Sequence, residues 1–339
     1  MTGERPPSRR WPFVLTLGLG LGLIAAPAIF QMFDRAPKGR SMIDSFAPYM
    51  TEAKIAGFQR DLRTIDAAVV ESTGHLRPAL VSAGTSATAT AADSPLLTDF
   101  QRKWPAIYRD MGDMLDTMHG DLGDYAAVDA LPPFDLFPWS FVAPGVIVAV
   151  SSVAGLLLAN AGHPVRPAVI ALVVVGAGLV IAPGLFDMWV RAPKGGHMID
   201  DFRPLMTQAK VERIQGYFLV IGAGEGTLRA EALPALAAAT ESDPRATAAR
   251  FPAIARFGSD WPGTSNRMAP MIGAMSDNLG NYAAVDALPP FPLFPWFFVI
   301  PGVLVVGLAA VASRRPEELL EESSTPGTSA SPSTPGANP

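Results

Sequence analysis

The chain of 339 residues contains no cysteine, and its charged residues amount to only 17%. Without cysteine, neither a disulfide framework, nor a cysteine-ligated iron–sulfur cluster, nor thiol catalysis is possible. The charged fraction lies well below the roughly 25% that is typical of soluble domains, whereas hydrophobic residues reach 49%. This shortage of charge points to a chain that resides in a lipid bilayer.

Signatures of catalysis and of ligand binding are missing as well. The four histidines, His75, His119, His163 and His197, are scattered without metal-ligand spacing. The sequence contains no Walker loop, no GxSxG elbow and no HExxH motif. Neither half has the basic excess that nucleic-acid binding requires, and the net charge is −5. We therefore expect a protein that is not an enzyme, carries no cofactor or metal, and does not bind nucleic acid.

What the chain does contain is one long stretch that occurs twice. Residues 35–54 read RAPKGRSMIDSFAPYMTEAK and residues 191–210 read RAPKGGHMIDDFRPLMTQAK, with 14 of 20 positions identical. The segment YAAVDALPPF occurs unchanged at 125–134 and again at 282–291. Offsets of 156 and 157 residues between the copies indicate a tandem duplication of a whole domain rather than a solenoid of short units.

Four nearly uncharged runs are long enough to cross the ~30 Å hydrocarbon core of a membrane as helices. They predict transmembrane helices at 12–32, 139–161, 168–190 and 296–313. The first run could also be a cleaved signal peptide, because basic residues precede it and small residues follow. However, residues 24–39 align with residues 180–195, which lie in mid-chain where no signal peptide can sit. This alignment favours a retained span.

The distribution of arginine predicts how the spans are oriented. Basic residues flank the first span, the turn at 162–167 and the end of the fourth span, so the positive-inside rule places both termini in the cytoplasm. We expect a cytoplasmic N-terminus at 1–11, helical extracytoplasmic domains at 33–138 and 191–295, and a disordered cytoplasmic tail at 314–339. The prediction is an all-α membrane protein with four transmembrane helices in two tandem parallel repeats, located in a bacterial plasma (inner) membrane.

Glycine-rich positions raise two further expectations. Small residues recur at four-residue spacing, which favours close helix packing in the bundle or, alternatively, a homodimer seam. They are Gly18, Gly22, Ala26, Gly178 and Ala182. The segment from Gly222 to Gly226 lacks the third glycine of a dinucleotide-binding loop, because Thr227 stands there. We expect this segment to break a helix.

Each outer domain carries an amphipathic helix and a methionine stripe at helical spacing. The first helix presents Ile55, Phe58 and Leu62 to a partner, and Phe58 and Ile214 are expected to face the methionines. The stripes are Met111, Met114 and Met118 in the first copy and Met268, Met271 and Met275 in the second. They allow two interpretations: ordinary core, or an adaptable apolar groove that holds a lipid.

Charged residues recur beside the spans in both copies. They are Arg35, Lys38 and Asp129 in the first copy and Arg191, Lys194 and Asp286 in the second. We expect the Pro-Lys-Gly segments to end a helix, and each aspartate to pair with a base of its own copy. Such a collar would either anchor the domain at the membrane surface or bind lipid headgroups or a partner subunit.

The plan of span, helical outer domain and span resembles that of bacterial sensor and envelope-complex subunits. The first hypothesis is a structural or accessory subunit of a cell-envelope or transport complex, with membrane lipids and a partner subunit or a second copy as partners. The alternative is an extracytoplasmic module that binds a lipid or another apolar ligand. A transporter is disfavoured, because only Asp187 places a charge within a span.

Overall fold

The computed structural model describes residues 10–314, and every regular element in that range is helical. The first half contains α1 (Trp11–Ile29), α2 (Met32–Phe46), α3 (Glu52–Glu71), α4 (Arg77–Ala83), α5 (Ser86–Ala92), α6 (Pro95–Gly120), α7 (Leu122–Asp129) and α8 (Trp139–Asn160). The second half repeats this order as α9 (Arg166–Leu185), α10 (Met188–Phe202), α11 (Gln208–Thr227), α12 (Leu233–Ala239), α13 (Pro244–Arg250), α14 (Pro252–Asp277), α15 (Leu279–Asp286) and α16 (Phe294–Ser313). The prediction of an all-helical chain is confirmed. Most of the expected N-terminal segment and the expected tail lie outside the described residues.

Helices α1, α8, α9 and α16 are long and apolar enough to cross a membrane, as predicted. The mean hydropathy of these four candidate spans lies between 2.0 and 2.5. They form one compact unit, while residues 28–138 and 186–295 form the other. We call these the apolar unit and the outer unit.

Two glycine pairs at equivalent positions bring the helices of the apolar unit close together. A Cβ on Gly20 of α1 would lie 2.9 Å from the carbonyl oxygen of Gly145 in α8. In the second half, a Cβ on Gly176 of α9 would lie 2.9 Å from the carbonyl oxygen of Gly302 in α16. Any larger residue would push the backbones apart, so these four glycines set the helix spacing.

The expected small-residue stripe does not form the close helix contacts, which instead involve Gly20 and Gly176. An added Cβ on Gly18, Gly22 or Gly178 would meet no atom within 4 Å. Because α1 carries glycine on more than one face, spacing alone could not select the face that meets α8. The expectation of a homodimer seam on the outward face stays a prediction.

A residue with left-handed backbone immediately precedes α2, and another immediately precedes α10. Gln31 has φ of 54° and Asp187 has φ of 51°, a conformation that commonly ends helices. Helix α2 then continues through Pro37, and α10 through Pro193. The expectation that the Pro-Lys-Gly segments end a helix is therefore wrong. Each proline removes one helical hydrogen bond, but the helix it lies in is kept.

In the outer unit the two copies interlock. Helix α3 packs against α6 of its own copy and against α14 of the other, and α11 likewise packs against α14 and α6. The shorter helices pair between copies, α2 with α15 and α10 with α7. The sequence predicts two separate outer domains; the structure instead joins both into a single unit with a shared core.

That core confirms the buried helix faces and corrects the expected helix break. Phe58 is 2% exposed and Ile214 is 1% exposed. Helix α11 runs unbroken through Gly224, where an added Cβ would clash with the ring of Phe100. This glycine makes room for the Phe100 ring from the other copy, so its role is close packing rather than a break.

Candidate functional site

The two repeated blocks, RAPKG and YAAVDALPPF, contact each other in the outer unit, both within one copy and between the copies. A Cβ on Gly39 of α2 would lie 3.0 Å from the Phe134 ring of its own copy and 3.2 Å from Val285 of the other. A Cβ on Gly195 of α10 would lie 3.2 Å from Val128 of the other copy and 3.3 Å from the Phe291 ring of its own. A side chain at either glycine would force these neighbours to shift, so close packing is a structural reason for the glycine of the Pro-Lys-Gly block.

Aromatic residues that follow these blocks pair with their own equivalents. The ring centroids of Phe134 and Phe291 are 5.9 Å apart, and those of Phe137 and Phe294 are 5.0 Å apart. Residues contact their own equivalents only beside a twofold axis. A pseudo-twofold axis therefore passes between these rings, and the retained blocks surround it.

The arginines of the expected collar each bind a backbone carbonyl of the other copy, and Arg191 also lies 3.5 Å from the carboxylate of Asp187 in its own copy. Arg35 Nη1 donates to the carbonyl oxygen of Ala287 at 2.6 Å, and Arg191 Nη1 donates to that of Ala130 at 2.7 Å. Ala287 and Ala130 are the residues that cap α15 and α7 at their C-termini. A helix C-terminus presents unpaired carbonyls and a partial negative charge, which attract a guanidinium. The predicted pairing of each aspartate with the arginine of its own copy is wrong.

The lysines of the collar also pair differently from the expectation. Lys38 Nζ lies 2.7 Å from Asp34, one helical turn away on α2. Lys194 Nζ lies 3.5 Å from Asp124 of the other copy. Both lysine side chains are 40% exposed, so each pair contributes little to stability.

The two aspartates of the collar are not equivalent in their contacts. Asp286 accepts a hydrogen bond from Arg203 at 2.7 Å, and this contact raises the pKa of the arginine. The first copy has Ala47 at the position of Arg203. Asp129 forms no ion pair with Arg35 or Lys38 within the part of the chain that the structure describes. The lipid-headgroup or partner role of the collar stays a prediction.

An apolar cleft lies beside the pseudo-twofold axis between α2 and α10. Its volume is about 30 Å³, and a neighbouring cavity of about 20 Å³ shares part of its lining. Each space has room for little more than a methyl group or a water molecule. The lining consists of five equivalent pairs: Met42 and Met198, Ile43 and Ile199, Phe46 and Phe202, Met50 and Met206, and Tyr125 and Tyr282.

The polar atoms at this cleft are already engaged. Tyr125 donates to the carbonyl oxygen of Ile43 at 2.8 Å, and Tyr282 donates to that of Ile199 at 2.6 Å. Burial, together with the charge of Asp129 or Asp286 nearby, raises the pKa of both tyrosines to about 12. Both phenols therefore stay protonated at neutral pH. The cleft offers apolar contact and no acid–base chemistry.

The methionine stripes predicted as core or groove are core. Met111, Met114, Met118, Met268, Met271 and Met275 are between 0% and 4% exposed. These side chains leave no open groove at these positions, since α6 and α14 each pack against helices of both copies. The methionines beside the axis were missed as site candidates, although Met42 and Met50 lie in the repeated block and recur as Met198 and Met206.

One carboxylate is buried where α7 meets α10. Asp121 is 4% exposed, and its Oδ2 has no hydrogen-bond partner among the residues that the structure describes. Burial, reinforced by the charges of Asp201 and Asp124, raises the pKa of Asp121 to about 6. The second copy has Asn278 at this position, where the amide donates to the carbonyl oxygen of Ala274 at 2.8 Å.

Among residues 10–314, no group of three or more histidine, aspartate or glutamate side chains is arranged to hold a metal ion. No protein-family model, curated protein or solved structure matches the chain. The candidate site is therefore defined by its geometry alone. It is an apolar cleft beside a pseudo-twofold axis, and Arg35 and Arg191 precede the helix residues that line it.

Proposed function

We propose that the chain is a non-enzymatic, multi-pass protein of a bacterial plasma membrane that serves as a structural or accessory subunit of a cell-envelope or transport complex. Four helices are long and apolar enough to span a bilayer. Arg10, Arg166 and Arg314 stand at the ends of these helices that the positive-inside rule assigns to the cytoplasm. The outer unit then lies on the extracytoplasmic side.

The observation that carries this proposal is the interlocking of the two copies. Each long helix of the outer unit packs against helices from both copies, so neither copy has a complete core of its own. The methionines that an open binding groove would need are instead buried. Such a unit suits a rigid platform for a partner better than a module that opens around a ligand.

We take one strongly exposed apolar side chain of the outer unit as the position at which contact with a partner subunit is tested. Leu219 on α11 is 76% exposed. At the equivalent position of α3 the first copy has Arg63, which is also exposed. This pair of positions supplies a probe and a matched control.

The experiment combines purification with crosslinking. The full chain is purified from its native membrane in mild detergent, and co-purifying proteins and lipids are identified by mass spectrometry. A photo-crosslinking residue is placed at Leu219 and, as control, at Arg63. We expect a stoichiometric protein that crosslinks from position 219 more strongly than from position 63. A chain that purifies without any stoichiometric protein contradicts the proposal.

The topology part is tested separately. Single cysteines at Ser86 and Thr240 should react with a membrane-impermeant reagent from the extracytoplasmic side, and a reporter fused after Arg315 should be active in the cytoplasm. Labelling of neither cysteine in intact cells would reject the assigned orientation.

The axial cleft favours a second candidate, an extracytoplasmic module that binds an apolar ligand. Its lining is apolar and symmetric, and its four methionines can change conformation at low cost. At about 30 Å³ the cleft must widen to admit an acyl chain. A lipid retained at one copy per chain through purification, without a protein partner, would favour this candidate over the first.

A further inference from the structure

The second copy contains a larger cavity away from the axis, bordered by α11, α12, α13 and α14. Its volume is about 390 Å³, within the range of pockets that hold small molecules. The apolar part of its wall is formed by Leu228, Leu233, Pro234, Ile254 and Phe257. It therefore combines adequate size with an apolar lining.

One carboxylate stands in this wall. The side chain of Glu225 is only 8% exposed, and its Oε1 accepts a hydrogen bond from Nε of Arg229 at 2.8 Å. Its Oε2 accepts no hydrogen bond from the residues that the structure describes. The Arg229 side chain is 68% exposed. A desolvated carboxylate with one unused oxygen favours a hydrogen-bond donor, and above all a charged one.

At the corresponding place the first copy has a polar bridge. There, Gln101 Nε2 donates to Ser72 Oγ at 3.0 Å. The equivalent residues in the second copy are Gly258 and Leu228, which cannot form that bridge. In place of Glu225 the first copy has Val69. The loss of the glutamine side chain and the gain of the carboxylate thus occur together, in the same copy and around one cavity.

We propose that this cavity binds a small primary amine with an apolar body. The ammonium group donates to Oε2 of Glu225, and the apolar body packs against Leu228, Ile254 and Phe257. A neutral head group gains less from the carboxylate. An anionic head group is repelled by it and finds as a counter-charge in the wall only Arg229, which is already paired with Oε1 of Glu225 and is 68% exposed. The inference is independent of the proposed function, since it needs no partner subunit and rests on Glu225 and Gly258, which the first copy replaces with Val69 and Gln101.

The test uses phenethylamine as the probe, with phenethyl alcohol and 3-phenylpropanoate as uncharged and anionic matches. Binding to the full chain in lipid nanodiscs is measured by saturation-transfer NMR and calorimetry, with protein-free nanodiscs as the blank. We expect phenethylamine to bind with a Kd of about 1 mM or below, and at least about tenfold more tightly than either match.

Three variants assign the binding to the cavity. Gly258→Gln restores the side chain of the first copy and should abolish binding of phenethylamine. Its Cβ would lie 3.4 Å from Oε1 of Glu225, an ordinary contact, so the variant should fold. Glu225→Gln should weaken binding at least tenfold. Gln101→Gly, the matched change in the first copy, should leave binding unchanged.

Several results would overturn the inference. These are no binding of phenethylamine to the unaltered chain, equal binding of phenethyl alcohol, or full binding by the Gly258→Gln variant. If Glu225→Gln proves too unstable to measure, the Gly258→Gln and Gln101→Gly pair decides the matter. None of these results concerns a partner subunit. Failure of the amine-binding inference can therefore be distinguished from failure of the proposed function.

Discussion

Two ion pairs join the copies in the outer unit, and they involve Asp110 and Arg267, which stand at equivalent positions and carry opposite charges. Asp110 of α6 accepts hydrogen bonds from Lys210 at 2.6 Å and from Tyr217 at 2.8 Å, both on α11. At the equivalent place Arg267 of α14 donates to Asp61 of α3 at 2.7 Å. In a pair of first copies, Asp110 would face Asp61 as well as Lys54, the equivalent of Lys210; in a pair of second copies, Lys210 would face Arg267. Each like-copy arrangement places charges of the same sign together, which favours the packing of unlike copies.

The perturbation that tests this complementarity is Asp110→Asn. The side chains of Lys210 and Asp110 are 11% and 25% exposed. Burial alone would raise the pKa of Asp110, but the hydrogen bonds from Lys210 and Tyr217 hold that pKa below its ordinary value. Removing one partner of a buried pair costs about 3–5 kcal/mol because the other charge stays buried. Since a quarter of Asp110 is exposed, we expect a loss of about 3 kcal/mol in the free energy of unfolding.

The assay is a double-mutant cycle of Asp110→Asn with Lys210→Met, read by denaturant unfolding of the full chain in detergent. The exposed pair of Lys38 with Asp34 serves as the control, and Asp34→Asn should cost no more than about 1 kcal/mol. Asp110→Arg should be more damaging than Asp110→Asn, and Lys210→Glu should rescue it. A coupling energy below about 0.5 kcal/mol, or no rescue, would refute the reasoning.

Three further predictions concern a buried acid, the core and the helix spacing. Because the raised pKa of Asp121 makes its ionised form costly in the folded chain, the stability that it contributes is fully present below about pH 4 and is lost as the pH rises through about 6. Asp121→Asn should therefore stabilise the chain by roughly 2–3 kcal/mol at pH 7.5 and by little at pH 4; an equal effect at both pH values in denaturant unfolding would contradict this. Phe58→Ala should cost about 3–5 kcal/mol, because the ring is 2% exposed in the shared core, and a loss under about 1 kcal/mol would show that the core is not formed as described. Gly20→Leu should lower the thermal unfolding midpoint in detergent, whereas Gly18→Leu should not, since an added Cβ on Gly18 meets no atom within 4 Å; equal midpoints for the two variants would exclude the glycine contact between α1 and α8.

Much of the fold could be predicted from the sequence, because the relevant signals are local. The four uncharged runs predict apolar helices, since a segment in lipid must form all of its backbone hydrogen bonds internally, as a helix does. The spacing of Ile55, Phe58 and Leu62 predicts a buried helix face, and all three side chains are at most 3% exposed. The repeated blocks predict that RAPKG and YAAVDALPPF lie together, and the contacts of Gly39 bear this out.

The choice of partners could not be predicted in the same way. Helical spacing defines which side of a helix is buried, but not which helix covers it. With two similar copies in one chain, each apolar face has two nearly equivalent partners. The choice between them rests on a few residues that differ, such as Asp110 and Arg267, and on close approaches such as that of Gly224 to Phe100.

The sequence by itself therefore determined the helices, their apolar faces and the duplication, because periodicity and run length are properties of neighbouring residues. Only the tertiary structure decided that the copies interlock, that the methionine stripes are core, and that Arg35 binds the end of α15 rather than Asp129. The physical reason is that these contacts join residues far apart in the chain. Their energies depend on which surfaces meet, and on the carbonyls that a helix end leaves unpaired.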